Sequence, residues 1–295
     1  MEQQLQLFEK SQNPLEERLG KCFFDELPKK PGVYLMYGRS GRLLYVGKAK
    51  NLRNRVFTYR RVTSKHRSRK TKRLVWMTHR IELCICKNEE AALLKENNLI
   101  RKHRPEFNRA KKSPETYYFL SLVPVPDQQH WAFQLGMHQP EESLYSGHIY
   151  GAFKGHRTVR SGAGALLRLL YTVEYDVQTP FDYPGTLTQK LTPLKHTLKA
   201  KQCVTLSDQF ISAVASYLSG SSINLFELLV NILTDRDLLN QPAGRLILRD
   251  MELLRRFYEY CTKRNHKLID LLSLPQKPIP QHKLDDYLIQ AAFRE

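Results

Sequence analysis

The chain has 295 residues, 41% of them hydrophobic, which is enough to bury a core and to form two modest domains. Lys and Arg number 47 against 29 Asp and Glu, so the formal charge is +18, and the composition excludes a disordered tail. The sequence contains no run of about 18 apolar residues, which excludes a transmembrane helix, and its start lacks the pattern of a secretion signal. Five scattered cysteines form neither a disulfide framework nor a zinc-binding spacing, so we expect reduced thiols in a cytoplasmic protein. We also expect no membrane partner.

Residues 1–24 are polar and predict a helical or loose N-terminal extension. Within it, the segment Gln4–Phe8 resembles the short peptide by which bacterial DNA enzymes dock on the sliding clamp. The alternative is an amphipathic start that packs its Leu and Phe side chains on the core. We favour this alternative because matches of only five residues often arise by chance.

A β-hairpin is predicted directly after Gly32, where two apolar and aromatic runs flank a turn rich in Gly and Ser, residues 38–41. If these four residues form the loop, Tyr34 lies directly opposite Tyr45, and opposed residues share one face of a sheet. We therefore expect two phenols side by side. Taken alone, this pattern is equally typical of two half-buried core tyrosines.

Two further elements follow the hairpin. Asn51 is a suitable N-cap for a helix that ends near Tyr59, and Arg55 and Tyr59, four residues apart, share one face of that helix. The basic stretch 60–73 predicts a loop that runs into another helix. The alternating segment 81–85 predicts a third strand.

The next helix is predicted over residues 88–102, with Asn88 as its cap and Pro105 just beyond its end. Glu96 lies inside its apolar stripe, where an ionised carboxylate is costly unless it is paired or bound to a cation. Three interpretations stay open: a salt bridge to an Arg at the edge of the core, a rotated helix that exposes Glu96, or a ligand of Mg²⁺. That ion keeps several waters, so one protein carboxylate can suffice.

The texture of the sequence changes after this helix. Segments 117–123 and 130–135 predict strands, residues 166–171 predict a helix, and residues 206–272 predict two or three helices. A proline-rich linker at 275–280 precedes a short final helix. We divide the chain into an N-terminal extension (1–24), a first domain (25–115), a mixed α/β region (116–200) and a helical C-terminal region (201–295).

The charge is concentrated in the first domain. Residues 27–81 contain 17 Lys or Arg and no Asp or Glu. An ordinary solvated face mixes both signs, so this block indicates a polyanionic partner, and nucleic acid fits best because its phosphates are neutralised by Lys and Arg. An anionic membrane is the rival, but the block lacks the long amphipathic helix that surface binding requires.

Five ordered pieces of the first domain form a recognisable pattern. Gly32-Val33-Tyr34 is followed after about ten residues by Tyr45-Val46-Gly47, and then by Arg55, Glu96 and Asn108. This order resembles that of the GIY-YIG nuclease family. A lone Gly-Val-Tyr would be a weak signal, but five pieces in the family's order are specific.

Within that family, segments 45–52 and 90–100 are most similar to UvrC, the nuclease of bacterial nucleotide excision repair. The resemblance is strong over residues 25–110 and continues faintly to residue 170. It implies an α+β fold, in which a GIY-YIG nuclease domain with a small three-stranded antiparallel sheet flanked by helices precedes a mixed middle region and a mostly helical C-terminal region.

The resemblance also implies an activity and a set of site residues. The implied activity is Mg²⁺-dependent hydrolysis of DNA phosphodiester bonds, with Mn²⁺ able to replace Mg²⁺, and Glu96 is the implied metal ligand. The implied DNA-binding residues are Lys50, Arg53, Arg60 and Arg61. The implied catalytic residues are Tyr34, Tyr45, Lys48, Arg55, Tyr59 and Asn108, the last of which would orient a neighbour.

The implied chemistry is physically reasonable. Tyr45 would act as general base on water, and we expect Lys48 and Arg55 to lower its pKa because cations favour the phenolate. Arg55 would also bind phosphate oxygens, which its planar fork suits. Tyr34 and Tyr59 would form hydrogen bonds within the site or to the scissile phosphate.

The chain also departs from the UvrC pattern. UvrC-like chains carry a second nuclease domain, helix-hairpin-helix repeats and a cysteine cluster after the first domain, whereas here no cysteine lies between Cys86 and Cys203 and there is no room for the other parts. These differences resemble the short, Cho-type members of the family. That type is implied to make a single incision, on the 3′ side of a lesion.

The implied partners are damaged double-stranded DNA and UvrB, which UvrA loads. The UvrB-holding segment of UvrC is missing, so we expect another surface to make that contact. Nothing in the sequence is typical of a base-reading motif, so damage specificity is expected to come from the partner. The alternatives are a structure-specific or mobile-element GIY-YIG nuclease that acts without repair partners, and a non-catalytic DNA-binding subunit.

Overall fold

The computed structural model describes residues 14–62, 68–108, 117–140, 148–189, 191–275 and 278–294. The chain divides into two compact units, Met1–Ser113 with Ala292–Glu295, and Pro114–Ala291. The predicted boundary near residue 115 lies close to this division. The segment Gln4–Phe8 lies outside the described residues, so a clamp contact stays a prediction.

The first unit is a three-stranded antiparallel sheet flanked by helices, as the fold class predicted. The strand order is β2-β1-β3, and β1 pairs antiparallel with both neighbours. Its elements are α1 (Pro14–Asp25), β1 (Gly32–Tyr37), β2 (Leu43–Ala49), α2 (Leu52–Arg60), α3 (Arg69–Met77), β3 (Arg80–Ile85) and α4 (Glu89–His103).

Local sequence sets the ends of the two helices that carry candidate residues. The side chain of Asn51 accepts a hydrogen bond from the backbone N–H of Asn54 at the start of α2, and Asn88 accepts from Ala91 at the start of α4. These bonds satisfy backbone donors that the helices leave unpaired, so both predicted N-caps are confirmed. Helix α4 ends at Arg104, which has a left-handed conformation.

Strand β1 is covered on both faces, because its alternate residues pack on different helices. Val33 and Leu35 lie in a cluster with Ala92 and Ile100 of α4. Tyr34 and Met36 lie in a larger cluster with apolar side chains of α1, α2 and α3. Tyr34 therefore belongs to the face of the sheet that α2 covers.

The predicted register of the hairpin is wrong by two residues. Tyr34 pairs with Gly47 and Met36 pairs with Tyr45, and the register shifts again between Met36 and Tyr37. The pairing of Tyr37 with Leu43 leaves residues 38–42 in the turn, one more than predicted, and the bulge after Met36 adds the second residue of the shift. Side chains alternate with period two, so a two-residue shift keeps Tyr34 and Tyr45 on the same face.

The second unit contains a four-stranded antiparallel sheet of order β6-β4-β5-β7 together with the remaining helices. Its strands are β4 (Tyr118–Val125), β5 (His130–Gly136), β6 (Ile149–Phe153) and β7 (Lys195–Lys199). Its helices are α5 (His156–Tyr175), α6 (Gly185–Thr188), α7 (Asp208–Ser219), α8 (Asn224–Asp235), α9 (Gly244–Phe257), α10 (Lys263–Leu272) and α11 (Leu284–Ala292), with a π-helical turn (Tyr258–Thr262) between α9 and α10.

One hydrophobic core includes residues on both sides of position 200: Leu120 and Trp131 from the sheet and Leu167, Tyr217 and Phe257 from the helices. The helices after residue 200 thus share a core with the sheet before it. The helix predicted over residues 166–171 is the middle of a longer helix, α5.

Helix α5 extends farther than predicted because two glycines near its start, which lower helix propensity, serve packing instead. A Cβ at Gly162 would overlap the ring of Phe257. This close approach of α5 and α9 requires the absence of a side chain, which outweighs the intrinsic preference. Along the described stretches, every helix is too short or too polar to cross a bilayer, and all five cysteines are free.

Candidate active site

Three tyrosines of the first unit lie together on the face of the sheet that α2 covers. The ring centroids of Tyr34 and Tyr45 are 6.0 Å apart, and those of Tyr34 and Tyr59 are 5.8 Å apart. The hydroxyl oxygens of Tyr34 and Tyr59 are 2.9 Å apart, within hydrogen-bond distance. The expected pair of phenols is therefore a cluster of three, to which β1, β2 and α2 contribute one each.

Gly47 makes room for this cluster. It pairs with Tyr34 across the strands, and a Cβ at this position would overlap the Tyr34 hydroxyl and approach the Tyr45 ring. The close approach of backbone to phenol explains why the Tyr-Val-Gly segment ends in glycine.

Arg55 contacts the phenols from α2. Its Nε donates a hydrogen bond of 3.2 Å to the hydroxyl of Tyr34, and its guanidinium carbon lies 5.6 Å from the centroid of the Tyr59 ring. The two residues share one face of α2, as the four-residue spacing predicted. Arg55 thus places a positive charge beside the phenol cluster while much of its side chain stays exposed.

The environment raises the pKa values of two of these phenols. Burial raises the pKa of Tyr34 well above its ordinary value, and the neighbouring Tyr59 and Tyr45 add to this effect. Burial also raises the pKa of Tyr45, with a further contribution from Tyr59, and the Tyr34 hydroxyl and Arg55 only partly oppose it. Arg55 lowers the pKa of Tyr45 as expected, but the net shift is upward because the cost of desolvating a phenolate is larger.

The same interactions act on Arg55 in the opposite sense. Burial alone would lower its pKa, but the attraction of Tyr34 and Tyr59 outweighs burial and raises it. The guanidinium is therefore a permanent cation of the site.

Glu96 lies half-buried on α4, and its Oε1 accepts a hydrogen bond of 2.9 Å from the backbone N–H of Lys48 on β2. Its negative charge is near enough to Tyr45 to contribute to the raised pKa of that phenol. The interpretation in which the helix rotates and exposes Glu96 to solvent is excluded. The carboxylate is instead held at the strand that carries Tyr45.

The donor set around Glu96 fits a hard divalent cation. Mg²⁺ prefers oxygen ligands and binds through one or two carboxylates while it keeps several waters. The described part of the chain contains no group of three or more His, Cys, Asp or Glu side chains that would hold a metal. A metal at this site would therefore be held by Glu96, with waters or substrate oxygens completing its shell.

Lys48 and Lys50 leave the end of β2 and meet a second acidic residue of α4. Nζ of Lys50 lies 2.9 Å from Glu89, and Nζ of Lys48 lies 3.8 Å from the same carboxylate. Glu89 lies in the first turn of α4. Its contact with the lysines joins residues about forty positions apart, which local spacing does not indicate.

Asn108 fixes the strand that carries Tyr45. Its Oδ1 accepts a hydrogen bond of 2.9 Å from the N–H of Val46, and its Nδ2 donates one of 2.8 Å to the carbonyl of Val46. The side chain is buried, so both bonds are protected from water. Asn108 thus fixes the backbone between Tyr45 and Gly47, and its implied catalytic role stays a prediction.

The four residues expected to bind DNA have different surroundings. Arg60 donates to Glu16 of α1, with Nε and Oε2 3.1 Å apart, and so joins two helices of the unit. Arg53 packs its guanidinium over the Phe57 ring, whereas Arg61 is exposed at the end of α2. Arg61 and Lys50 are the exposed cations of the set, although Lys50 also pairs with Glu89, whereas Arg53 and Arg60 are partly buried.

Asn97, next to Glu96, was missed by the sequence analysis. It is 1% exposed, and neither polar atom of its side chain has a hydrogen-bond partner among the described residues. A buried amide without partners costs about 1 to 3 kcal/mol. Its only sequence signal is its position three residues before the buried Ile100.

Comparison with known proteins shows which domain the first unit resembles. Residues 30–109 match the model of the UvrC-like GIY-YIG domain. The chain is 47% identical over 96 residues to UvrABC system protein C of Chlamydia caviae, covering 32% of this chain and 16% of that protein. It is 37% identical over 154 residues to the corresponding protein of Desulforudis audaxviator, covering 52% of this chain and 24% of that protein. The chain thus spans less than a quarter of the length of these relatives.

Solved structures of one such domain are also similar in sequence. The N-terminal endonuclease domain of UvrC from Thermotoga maritima, bound to magnesium as its catalytic divalent cation, is 30% identical to this chain. The match covers 34% of this chain and 98% of that one, with a TM-score of 0.27.

Proposed function

We propose, from the premise that residues 30–109 are a UvrC-like GIY-YIG endonuclease domain, that the chain is a divalent-metal-dependent nuclease of nucleotide excision repair. The observation that carries this proposal is the convergence of three phenols, Arg55 and a half-buried carboxylate on the two strands of one hairpin and the helices that cover them. The match to the domain model supports the class of chemistry, and the geometry supports the roles proposed below.

Hydrolysis of a phosphodiester requires an activated water, a polarised phosphate and stabilisation of the leaving oxygen. A Mg²⁺ ion held by Glu96 would supply the positive charge that polarises the phosphate and offsets the charge that develops on it. The backbone N–H of Lys48 holds the carboxylate of Glu96 in place for this role.

Tyr45 is the proposed general base. Its raised pKa leaves it protonated for most of the time at neutral pH, so the minor phenolate form is the one that accepts a proton from water and becomes phenol. The Tyr34 hydroxyl and the Arg55 guanidinium both stabilise the phenolate form of Tyr45. A proton that reaches Tyr45 lies next to a chain of hydroxyls through Tyr34 and Tyr59.

Arg55, Lys48 and Lys50 are the proposed phosphate ligands. Only the Nε of Arg55 is bonded to Tyr34, and the planar fork suits phosphate oxygens. In this scheme, Lys48 and Lys50 release Glu89 when they bind phosphate. Their ion pairs with Glu89 are accessible to solvent and therefore contribute little stabilising energy.

The repair context is also proposed. Relatives named UvrABC system protein C share the domain, which supports a role on damaged double-stranded DNA bound by UvrB, after loading by UvrA. A single incision on the 3′ side of the lesion follows from the resemblance to the short, Cho-type members of the family. Since phosphate contacts carry no sequence information, lesion recognition is assigned to the partner.

The test is to map cuts on a duplex with one bulky adduct. We expect one nick, on the 3′ side, when the protein is incubated with UvrA, UvrB and Mg²⁺, and none without UvrB or after chelation of the metal. Mn²⁺ is expected to replace Mg²⁺ in the same assay. Cutting of undamaged branched DNA without repair partners would instead identify a structure-specific nuclease.

A matched pair of variants isolates the carboxylate. Glu96→Gln is expected to reduce nicking by about a thousandfold, because a metal ion contributes several kcal/mol of charge stabilisation, while DNA binding persists. Glu90→Gln makes the same chemical change on the same helix and is expected to cut normally. Equal activity in the two variants would remove Glu96 from the metal site.

A further inference from the structure

The second unit contains a cleft of about 730 Å³ between α5, the segment that includes α6, and α9. This volume is within the range of about 300 to 1,000 Å³ that is usual for ligand pockets. The lining is strongly basic among the described residues, with a single acidic side chain. Its charged members, together with one histidine, are His156, Arg157, Arg160, Arg168, Arg249 and Asp250.

The single acidic residue is already paired. Arg168 donates to both oxygens of Asp250, with Nε–Oδ2 and Nη2–Oδ1 distances of 2.7 and 2.6 Å. This bidentate geometry is the strong form of a guanidinium–carboxylate pair. It leaves Arg157, Arg160 and Arg249 as excess positive charge around one concave space.

Two of these arginines come from successive turns of one helix. Arg157 and Arg160 are three residues apart on α5 and therefore neighbours on its surface. Nη2 of Arg160 donates a bond of 2.6 Å to the carbonyl of Thr192, whereas its buried Nε has no acceptor among the described residues. The protein thus satisfies this guanidinium only in part.

Arg249 adds the third charge from α9, which follows α5 by about seventy residues in the chain. Like charges that converge on a cleft repel one another, and a concave site of one sign concentrates counter-ions. Three guanidinium groups with planar donor forks suit a compact anion with several oxygens, and phosphate is the common one.

We propose that this cleft binds a phosphate group, carried by a DNA strand or by a free nucleotide, and that Arg157, Arg160 and Arg249 hold it. The DNA source rests on the proposed function, since the second unit would then bind the DNA that the first unit cuts. An acidic peptide is the main competitor for a basic cleft. It is less favoured because the donor forks of three guanidinium groups match the clustered oxygens of one phosphate better than the separate carboxylates of a peptide.

The test compares two double variants of the full chain. Arg157→Ala with Arg249→Ala removes two exposed arginines of the cleft, and Arg255→Ala with Arg256→Ala removes two exposed arginines of α9 that do not line it. Both variants lose the same charge from the same unit. Binding is measured by anisotropy with a labelled single strand and a labelled duplex over a range of salt, and by thermal shift with ADP and with inorganic phosphate.

If DNA is the source, the cleft variant binds DNA about tenfold more weakly than the control, and the slope of log Kd against log salt falls by about 1 to 2. If a free nucleotide is the source, ADP raises the melting temperature of the wild type and of the control but not of the cleft variant, and DNA binding is unchanged. Either result supports the phosphate site.

Equal losses of DNA binding in both variants, or no change in any ligand, would overturn the proposal. Binding of polyglutamate that the cleft variant alone loses, with DNA and ADP unaffected, would overturn it in favour of an acidic peptide. Nicking is scored separately in each variant. Failure of the proposed function would show as absent cutting while cleft binding is intact, so the two failures are distinguishable.

Discussion

Each unit of this chain holds a carboxylate with backbone N–H groups, and the two sites differ in what they leave accessible. In the second unit, Glu174 is fully buried, and its oxygens accept bonds of 2.8 and 2.6 Å from the N–H groups of Gln202 and Thr205. In the first unit, Glu96 is only half-buried and is held by the N–H of Lys48. The same anchoring device thus serves packing in one unit and leaves a carboxylate within reach of a cation in the other.

The difference teaches where function is placed. A buried carboxylate that accepts hydrogen bonds from backbone donors is structural, because no solvent or ligand reaches it. A carboxylate held by a strand at an accessible edge is positioned and can still bind a cation. The comparison predicts that isosteric amides at the two positions have opposite consequences.

The largest expected contrast is between Glu96→Gln and Glu174→Gln. Glu174→Gln places an amide N–H against a backbone donor and is expected to lower the free energy of unfolding by about 2 to 3 kcal/mol. Glu96→Gln is expected to leave the free energy of unfolding nearly unchanged although nicking falls about a thousandfold. Urea unfolding and nicking assays on both variants check this, and a reversed pattern would end the comparison.

The next effect concerns the phenols. Tyr45→Phe removes the proposed base, and a general base contributes about 10² to 10⁴ in rate, so we expect a loss of at least a hundredfold. Tyr34→Phe removes only a stabilising hydroxyl and is expected to cost about tenfold. Single-turnover nicking rates on one substrate rank the two, and an inverted ranking would assign the base role to Tyr34.

A smaller effect is expected at Gly47. Gly47→Ala forces the Tyr34 ring to move, and a displacement near the reacting groups is expected to cost about tenfold to a hundredfold in nicking. Gly38→Ala is the control, since a Cβ there meets only ordinary contacts. Rates and melting curves of both variants show whether the damage is to the site or to the fold; equal rates would mean that the ring adjusts freely.

The smallest effect concerns surface charge. Glu89→Gln releases Lys48 and Lys50 and removes a negative charge near the DNA, so we expect DNA affinity to increase by about two- to fivefold at low salt. The difference is expected to vanish at high salt. Anisotropy titrations at two salt concentrations measure it, and weaker binding by this variant would show that Glu89 positions the lysines instead.

Much of the first unit is predictable because its signals are local. The caps follow from the residue type at the helix start, as at Asn51 and Asn88. The shared face of Arg55 and Tyr59 follows from helical spacing, and strand β3 follows from the alternation at 81–85. The predicted hairpin register is wrong because the bulge after Met36 cannot be recognised from the residue types. The face of the two tyrosines was still right, since a shift by two preserves it.

Other features were not predictable because they depend on burial and on distant contacts. The direction of the Tyr45 pKa follows from desolvation, which needs the packed structure. The pairing of Glu89 with the lysines, and the meeting of Arg157 with Arg249, join residues from elements far apart in sequence. The extent of α5 required knowing that Gly162 lies against Phe257.

The two bonds between Asn108 and Val46 have a consequence for how the site comes into being. Val46 stands between Tyr45 and Gly47, so Asn108 secures the middle of the hairpin that carries the phenols from 62 positions farther along the chain. During synthesis on the ribosome, these two bonds form only after residue 108 has emerged. The two strands of the hairpin can therefore pair before its phenols are fixed in place.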